Sequence, residues 1–378
     1  GTAVALSADG RVMAVLARTR QTVSLYRRIG SAWVPDGIAV PPPGFITSSG
    51  PTAHHTLALS GDGTVLAVGR PGEILPWPDG ASYGATHMYR RMNGNWQFVQ
   101  KLVPEDRSQY RYFGHVVDMD DAGDWLAVMM MDRTTSRPGE VHLYRTVGGT
   151  WVLEKIFPVP WNDLGAYAAC GALALSGDGS RLTRQCQRSY PSHQTYVETY
   201  TAPAWNAGPE LLIANNVTPL RAIDLNGDGT LLATSVANTV TAIWRLTGAG
   251  WQPDGPNGSA ALIPVSQPNM TMSRNGNYLA FGSSYDSTLG LGVVYPPFSR
   301  GLDTGTVRIF ERRGGAWPLL RTLKSNSSTQ QIFGYSLAFG DNGSVLAVGA
   351  PADSSAATGI DGDQYDTSVR GNGAVWLY

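Results

Sequence analysis

The sequence predicts an all-β chain folded as one seven-bladed β-propeller, each blade a four-stranded antiparallel sheet. Three observations predict it. The composition has 45 Gly, 24 Pro, 11 Trp and 16 Tyr among 378 residues, with only 15% charged residues, which suits many short strands joined by tight turns. An apolar strand, a tight polar turn ending in glycine and a second apolar strand recur seven times, and self-similarity at such a period marks a repeat architecture. An aromatic residue at a matching position after each recurrence supplies a third strand.

The seven hairpins span Ala5 to Val15, Leu57 to Val68, Val117 to Val128, Leu173 to Thr183, Ile223 to Thr234, Met270 to Phe281 and Leu337 to Val348. Their turn glycines are Gly10, Gly63, Gly123, Gly179, Gly229, Gly276 and Gly343, spaced by 53, 60, 56, 50, 47 and 67 residues. Each interval is one blade's length, so residues 1–378 read as a single domain. A three-residue hairpin loop needs a type I turn closing on positive φ, which glycine adopts without a Cβ clash. Gly61-Asp62-Gly63 and Gly177-Asp178-Gly179 fit that turn.

The third strands carry Tyr26, Tyr89, Tyr144, Tyr200, Trp244, Phe310 and Tyr378. The first six lead through a short turn to Trp33, Trp96, Trp151, Trp205, Trp251 and Trp317, where a fourth strand begins. Seven such sheets packed radially cover one another's faces, which assigns these aromatics to packing between blades. Blade 7 departs from the pattern, because the chain opens in the first strand of blade 1 and stops at Tyr378, in the third strand of blade 7. That blade therefore lacks a fourth strand of its own, and an uncovered edge is a template for another strand. A neighbouring subunit or a terminal segment would fill it, and head-to-tail donation that does not close would build a filament; a tolerated three-stranded blade is the plain alternative. The opening at Gly1 rather than Met gives the expectation that the chain is a portion of something longer.

Phe113-Gly114 and Phe333-Gly334 open blades, Val348-Gly349-Ala350-Pro351 closes a second strand, and Val68-Gly69-Arg70-Pro71 is a degenerate version. This pattern resembles the FG-GAP repeat of integrin α-subunit propellers and of many secreted microbial proteins, some of them lectins. The resemblance implies an extracellular propeller with an adhesive, sugar-binding or structural role. Integrin-type blades often place a calcium loop in the first hairpin, with carboxylates at alternating positions. Three-residue turns cannot assemble that ligand set, so no calcium is expected in these hairpins; no cofactor is expected, with calcium left open elsewhere in the chain. Asp361, Asp363 and Asp366 share a long loop that reads either as a hard-cation site or as solvated polar chain. Asp118, Asp120, Asp121 and Asp124 cluster in blade 3, where local turn hydrogen bonding accounts for them.

With 28 basic against 29 acidic side chains and no Lys/Arg run, the electrostatic footprint of a nucleic-acid binder is missing. No apolar stretch approaches the roughly 20 residues that span a bilayer, and no signal peptide is visible. Cys170 and Cys186 lie eight residues on either side of Asp178, so they face each other across the hairpin at disulfide distance. Such a bond points to an oxidising compartment, hence secretion. Glycosylation sequons at Asn216, Asn257, Asn269, Asn326 and Asn342 agree with that address. The six histidines are scattered, with no zinc-type pairing and no nucleophile elbow, so no enzyme is expected.

Strand alternation places the long connections Arg70 to Ser82, Ser283 to Thr304 and Ala350 to Gly371 on one face, and loops held by a rigid scaffold commonly carry function. On that face Trp77, Tyr83, Tyr285, Tyr295, Phe298 and Tyr365 have no place in the blade pattern, and exposed aromatics stack on sugars or anchor protein partners. Two functions follow as expectations. The first is a non-enzymatic extracellular structural or adhesive protein, with self-assembly into a filament through the open edge of the last blade as one form of it. The second is a glycan-binding lectin that uses the long-loop face.

Overall fold

A computed structural model describes residues 1–17, 22–39, 46–47, 56–74, 83–105, 111–132, 140–158, 168–188, 194–215, 220–236, 240–255, 261–264, 269–284, 305–324, 332–355, 360–362, 368–369, 371 and 373–378. The seven turn glycines have φ between 63° and 71°, which closes each first hairpin as the sequence predicts. Most of the turns repeat one arrangement of side chains. In blade 1 the Ser7 hydroxyl donates to Asp9 Oδ1 (2.6 Å) and accepts from Val12 N, while Asp9 Oδ1 also accepts from Arg11 N. Ser60/Asp62 and Ser176/Asp178 repeat it. These carboxylates are committed to their own turns, where they replace water on backbone groups that the hairpin leaves unpaired.

The hairpins grow into seven antiparallel sheets. Blade 1 is Ala3–Leu6, Val12–Leu16, Val23–Ile29 and Ala32–Ala39; blade 2 is Thr56–Leu59, Val65–Arg70, Ala85–Met92 and Asn95–Leu102. Blade 3 is Arg111–Met119, Trp125–Asp132, Glu140–Val147 and Thr150–Phe157. In blade 4, Ala168–Leu175, Arg181–Arg188 and Gln194–Thr201 are followed by a fourth strand split into Asn206–Ala207 and Leu211–Asn215. Blade 5 runs Leu220–Leu225, Leu231–Val236 and Val240–Thr247, with its fourth strand split into Gly250–Pro253 and Ala261–Pro264. Blade 6 is Asn269–Met272, Tyr278–Ser283, Thr306–Glu311 and Leu319–Leu323. Blade 7 has three strands, Ser336–Phe339, Leu346–Ala350 and Ala374–Leu377.

Each first strand touches the first strand of the next blade, and Ser336–Phe339 of blade 7 touches Ala3–Leu6 of blade 1, so the ring closes around an axis lined by first strands. Its core lies between the blades: the seven apolar clusters each join residues of two consecutive blades. Turn-to-turn backbone bonds link blades 1 to 6 at the hairpin end of the axis, from Ala8 N to Gly61 O, Gly61 N to Asp121 O, Asp121 N to Gly177 O, Asp178 N to Gly227 O and Gly227 N to Arg274 O. No helix among the described residues is long and apolar enough to cross a membrane.

The cysteine pair forms as expected but by a different register. Leu175 faces Leu182 and Ala172 faces Gln185, a frame in which Cys170 would meet Gln187. A bulge between Cys170 and Ala172 moves it back by one residue and brings it opposite Cys186, with Cα atoms 4.0 Å apart. The symmetric count about Asp178 reached the right partner without the bulge that makes it right.

Candidate functional site

Two sets of residues stand out from the repeat, one at the axis and one at the rim. At the axis, Asp118 and Asp224 occupy the same position of the first strand in blades 3 and 5. Each bridges to the next blade: Asp118 accepts from Leu175 N and Asp224 from Met272 N, both at 2.7 Å. Arg274 replaces the small residue of the blade 6 turn and reaches across the ring to Asp121 of blade 3, at 2.6 Å. Burial pushes Asp118 up to about 6 and Asp224 up to about 7, with those backbone donors and Arg274 pulling the other way and each carboxylate close enough to feel other charges. Asp120 takes the turn role foreseen for the blade 3 cluster, accepting from Trp125 N at 2.9 Å; Asp118 and Asp121 do not, because they serve the axis instead. Among the described residues no three His, Cys, Asp or Glu side chains are grouped to hold a metal.

At the rim, the fourth strands of blades 1, 2, 3 and 5 are pinned to the next blade. Asp36 takes a two-pronged bond from Arg91, both at 3.0 Å, and Trp96 Nε1 also donates to it. Asp254 takes the same from Arg312, at 3.1 Å on both prongs. Gln100 exchanges two bonds with the Trp151 backbone, and Lys155 donates to the carbonyls of Ala204 and Trp205. These clamps sit on fourth strands, and blade 7 has none to carry one.

The edge of blade 7 is a defined surface. Tyr378 exchanges both backbone bonds with Leu346, so by antiparallel alternation Trp376 also faces the second strand, while the N–H and C=O groups of Val375 and Leu377 point outward. Among the described residues no strand pairs with them. Val375 and Leu377, and Tyr26 and Trp33 of blade 1, pack against the same buried cluster, and all four remain partly exposed. Of their counterparts in complete blades, Tyr89, Tyr144 and Trp151 are 1%, 5% and 2% exposed, while Trp96 and Trp244 are partly exposed as well. Gly1 donates to Ala374 O at 2.8 Å and holds at this junction the place of Gly114 and Gly334, against Gly349 as they lie against Gly69 and Gly282.

The predicted site residues are placed as follows. Tyr83 is a correction: it is 6% exposed, with its carbonyl accepting from Phe113 N, so it packs beneath the long-loop face rather than presenting a ring there. Trp77, Tyr285, Tyr295, Phe298 and Tyr365 lie outside the described residues, as do Asp363, Asp366, Asn216, Asn257 and Asn326. Asp361 is exposed in the left-handed region at φ 54°. Asn342 is exposed in the blade 7 turn at φ 58°. Asn269 begins a strand, and its amide nitrogen, the atom a glycan would occupy, donates to the carbonyls of Gly334 and Tyr335 across the blade junction. Sequence reasoning missed Asp224 and Arg274, although alignment of the repeats sets Asp224 beside Asp118 and sets Arg274 at the place of Gly61, Gly177 and Gly227.

No family model matches the chain, and no curated protein matches it. Among solved structures it is similar to the β-propeller domain of Cps50 (Swd1) from Myceliophteria thermophila, at 14% identity and TM-score 0.59, covering 100% of this chain and 96% of that one. It is also similar to a protein from Lactobacillus plantarum, at 14% identity and TM-score 0.53, covering 87% of this chain and 85% of that one. At such identity the likeness speaks to fold alone, and together with the closed ring of sheets it identifies the chain as a seven-bladed β-propeller.

Proposed function

We propose that this propeller is a non-enzymatic, extracellular structural or adhesive module, in which the edge of blade 7 takes a further strand, either from a terminal segment of the same polypeptide or from a neighbouring subunit. The observation that carries the reading is that edge: outward-pointing backbone groups at Val375 and Leu377 beside the half-covered aromatics Tyr26 and Trp33. Exposed strand edges are normally shortened, charged or covered, whereas Ala374–Leu377 is apolar throughout. Strand addition uses the main chain for affinity and alternate side-chain pockets for specificity. The extracellular setting is supported by the Cys170–Cys186 bond, since such bonds persist in oxidising compartments. Asp9, Asp62 and Asp178 serve turns, Asp36 and Asp254 blade clamps, and Asp118 and Asp224 the axis, which are structural roles. Sedimentation of the protein isolated from its natural source in non-reducing buffer tests the reading. A complex with a second polypeptide that a Leu377→Pro variant cannot join is the expected result for a joint between subunits, and recovery only as a monomer would overturn it.

A further inference from the structure

We infer that the Asn93-Gly94 turn of blade 2 is a self-modification site: it deamidates spontaneously, consuming only water, and its isoaspartyl product loosens the rim clamp between blades 1 and 2. The chemistry needs a side-chain amide free to be attacked, a following backbone nitrogen free to attack it, and room for the two to turn toward each other. Glycine after the asparagine leaves that nitrogen unshielded by a Cβ. The sequence holds six Asn-Gly pairs, at Asn93, Asn226, Asn257, Asn275, Asn342 and Asn372. Four of them, those at Asn93, Asn226, Asn275 and Asn342, lie wholly among the described residues, and their surroundings differ.

Three are held. Asn226 is 4% exposed, its Oδ1 accepts from Leu231 N at 2.8 Å, and Gly227 N donates to the Arg274 carbonyl at 2.7 Å. Asn275 Oδ1 accepts from the Ser273 hydroxyl and from Asn277 N, while Gly276 N donates to Ser273 O at 2.8 Å. Asn342 Oδ1 accepts from Asn275 Nδ2, and Gly343 N donates to Gly340 O at 3.1 Å. Asn93 and Gly94, by contrast, are both exposed. They form a two-residue turn between Ala85–Met92 and Asn95–Leu102, at φ 50° and 84°, the positive angles such a hairpin requires. The Asn93 side chain and Gly94 N make no hydrogen bond to the described residues, and nothing lies within 4 Å of where a Gly94 Cβ would stand. Gly94 N therefore attacks Asn93 Cγ, the Cγ–Nδ2 bond breaks, and ammonia leaves with the proton of the attacking nitrogen. Water then opens the cyclic imide at one carbonyl to give aspartate or at the other to give isoaspartate. The flanking strands carry the clamp, because Arg91 and Trp96 pair across this hairpin and both donate to Asp36 of blade 1. Isoaspartate adds a carbon to the main chain inside the turn, and turn length fixes hairpin register, so the Met92 to Asn95 pair is displaced first and the Arg91 to Trp96 pair next.

The test is peptide mapping by mass spectrometry of the full chain held in mildly alkaline buffer at body temperature, with isoaspartate read by enzymatic carboxyl methylation. The mass gain of deamidation is expected at Asn93 at least about tenfold faster than at Asn226, Asn275 or Asn342, whose glycine nitrogens must first break a backbone bond. Amide exchange of the aged chain is expected to quicken along Ala32–Ala39 and Asn95–Leu102 and to stay unchanged along Glu140–Val147. An Asn93→Gly chain, in which glycine takes the same positive φ, is expected to age without either change. Equal rates at the four asparagines, or no conversion at Asn93, would overturn the site. Unchanged exchange along Ala32–Ala39 in fully converted chain, or equal quickening in the Asn93→Gly chain, would overturn its link to the clamp.

Discussion

Asp224 shows how one side chain ties the ring to its surroundings. Its carboxyl lies on the axis, partly exposed by area yet walled in by the first strands, so burial raises it to about 7. Unfolded, it titrates near 3.8. A carboxyl raised on folding contributes stability that is complete below the unfolded value and is lost as pH climbs through the folded one. The same sign holds for Asp118, raised to about 6. In urea unfolding the contribution of these two carboxyls is therefore expected to fall between pH 4 and pH 7, while the buried His87, held below the usual imidazole range, contributes the opposite slope. Asp224→Asn keeps an oxygen to accept from Met272 N, so it should flatten that slope and exceed the wild type at pH 8 by on the order of 1–3 kcal/mol. A variant that tracks the wild-type slope would mean that the axis is wetter than its packing implies. Asp36 runs the opposite way: though burial alone would raise it, the Arg91, Arg27 and Trp96 donors hold it below the usual carboxylate range. Its contribution is present at neutral pH and lost on acidification.

Between residue and ring, the elements that matter are the joints where one blade's first strand crosses the second strand of its neighbour. At three junctions two glycines meet there, Gly69 with Gly114, Gly282 with Gly334 and Gly349 with Gly1. A Cβ at Gly282 would run into the Gly334 carbonyl, which belongs to a backbone held on both sides and cannot yield cheaply. Gly282→Ala is expected to cost about 3 kcal/mol in chemical denaturation. Gly208→Ala, whose nearest neighbour would be the Thr199 carbonyl at 3.6 Å, should cost under about 1 kcal/mol. Comparable losses at the two sites would show that the junction relaxes. The Phe-Gly and Val-Gly pairs that mark these joints were readable in the sequence as a repeat. Their physical reason, two backbones in contact, was not, because it depends on the pairing of separate blades. The bulge at Gly171 was hidden for a related reason: a one-residue slip leaves no local signature, whereas the Ser-x-Asp-Gly turns announce themselves within four residues.

On the scale of the whole molecule, blade number, strand order and the missing fourth strand were all legible, since each follows from a period that recurs along the chain. The axial crossing of Arg274 to Asp121 was not, since it joins turns three blades apart and no periodicity encodes a partner across a ring. The same closed ring makes one seam unlike the rest. Between blades 1 and 2 or 5 and 6, a buried apolar cluster is backed by an arginine-carboxylate clamp at the rim. Between blades 7 and 1 the cluster includes partly exposed Tyr26, Trp33, Val375 and Leu377, and no fourth strand carries a clamp. Local opening is easiest where apolar contacts are fewest and backbone bonds meet solvent. Native-state amide exchange is thus expected to find the ladder amides of Ala374–Leu377 and Val23–Ile29 opening at lower free energy than those of Glu140–Val147, which is covered on both sides. Because the ring is closed by this seam, its opening should precede global unfolding. Uniform protection around all seven blades would show that the inner strands alone hold the ring shut and that the rim adds little.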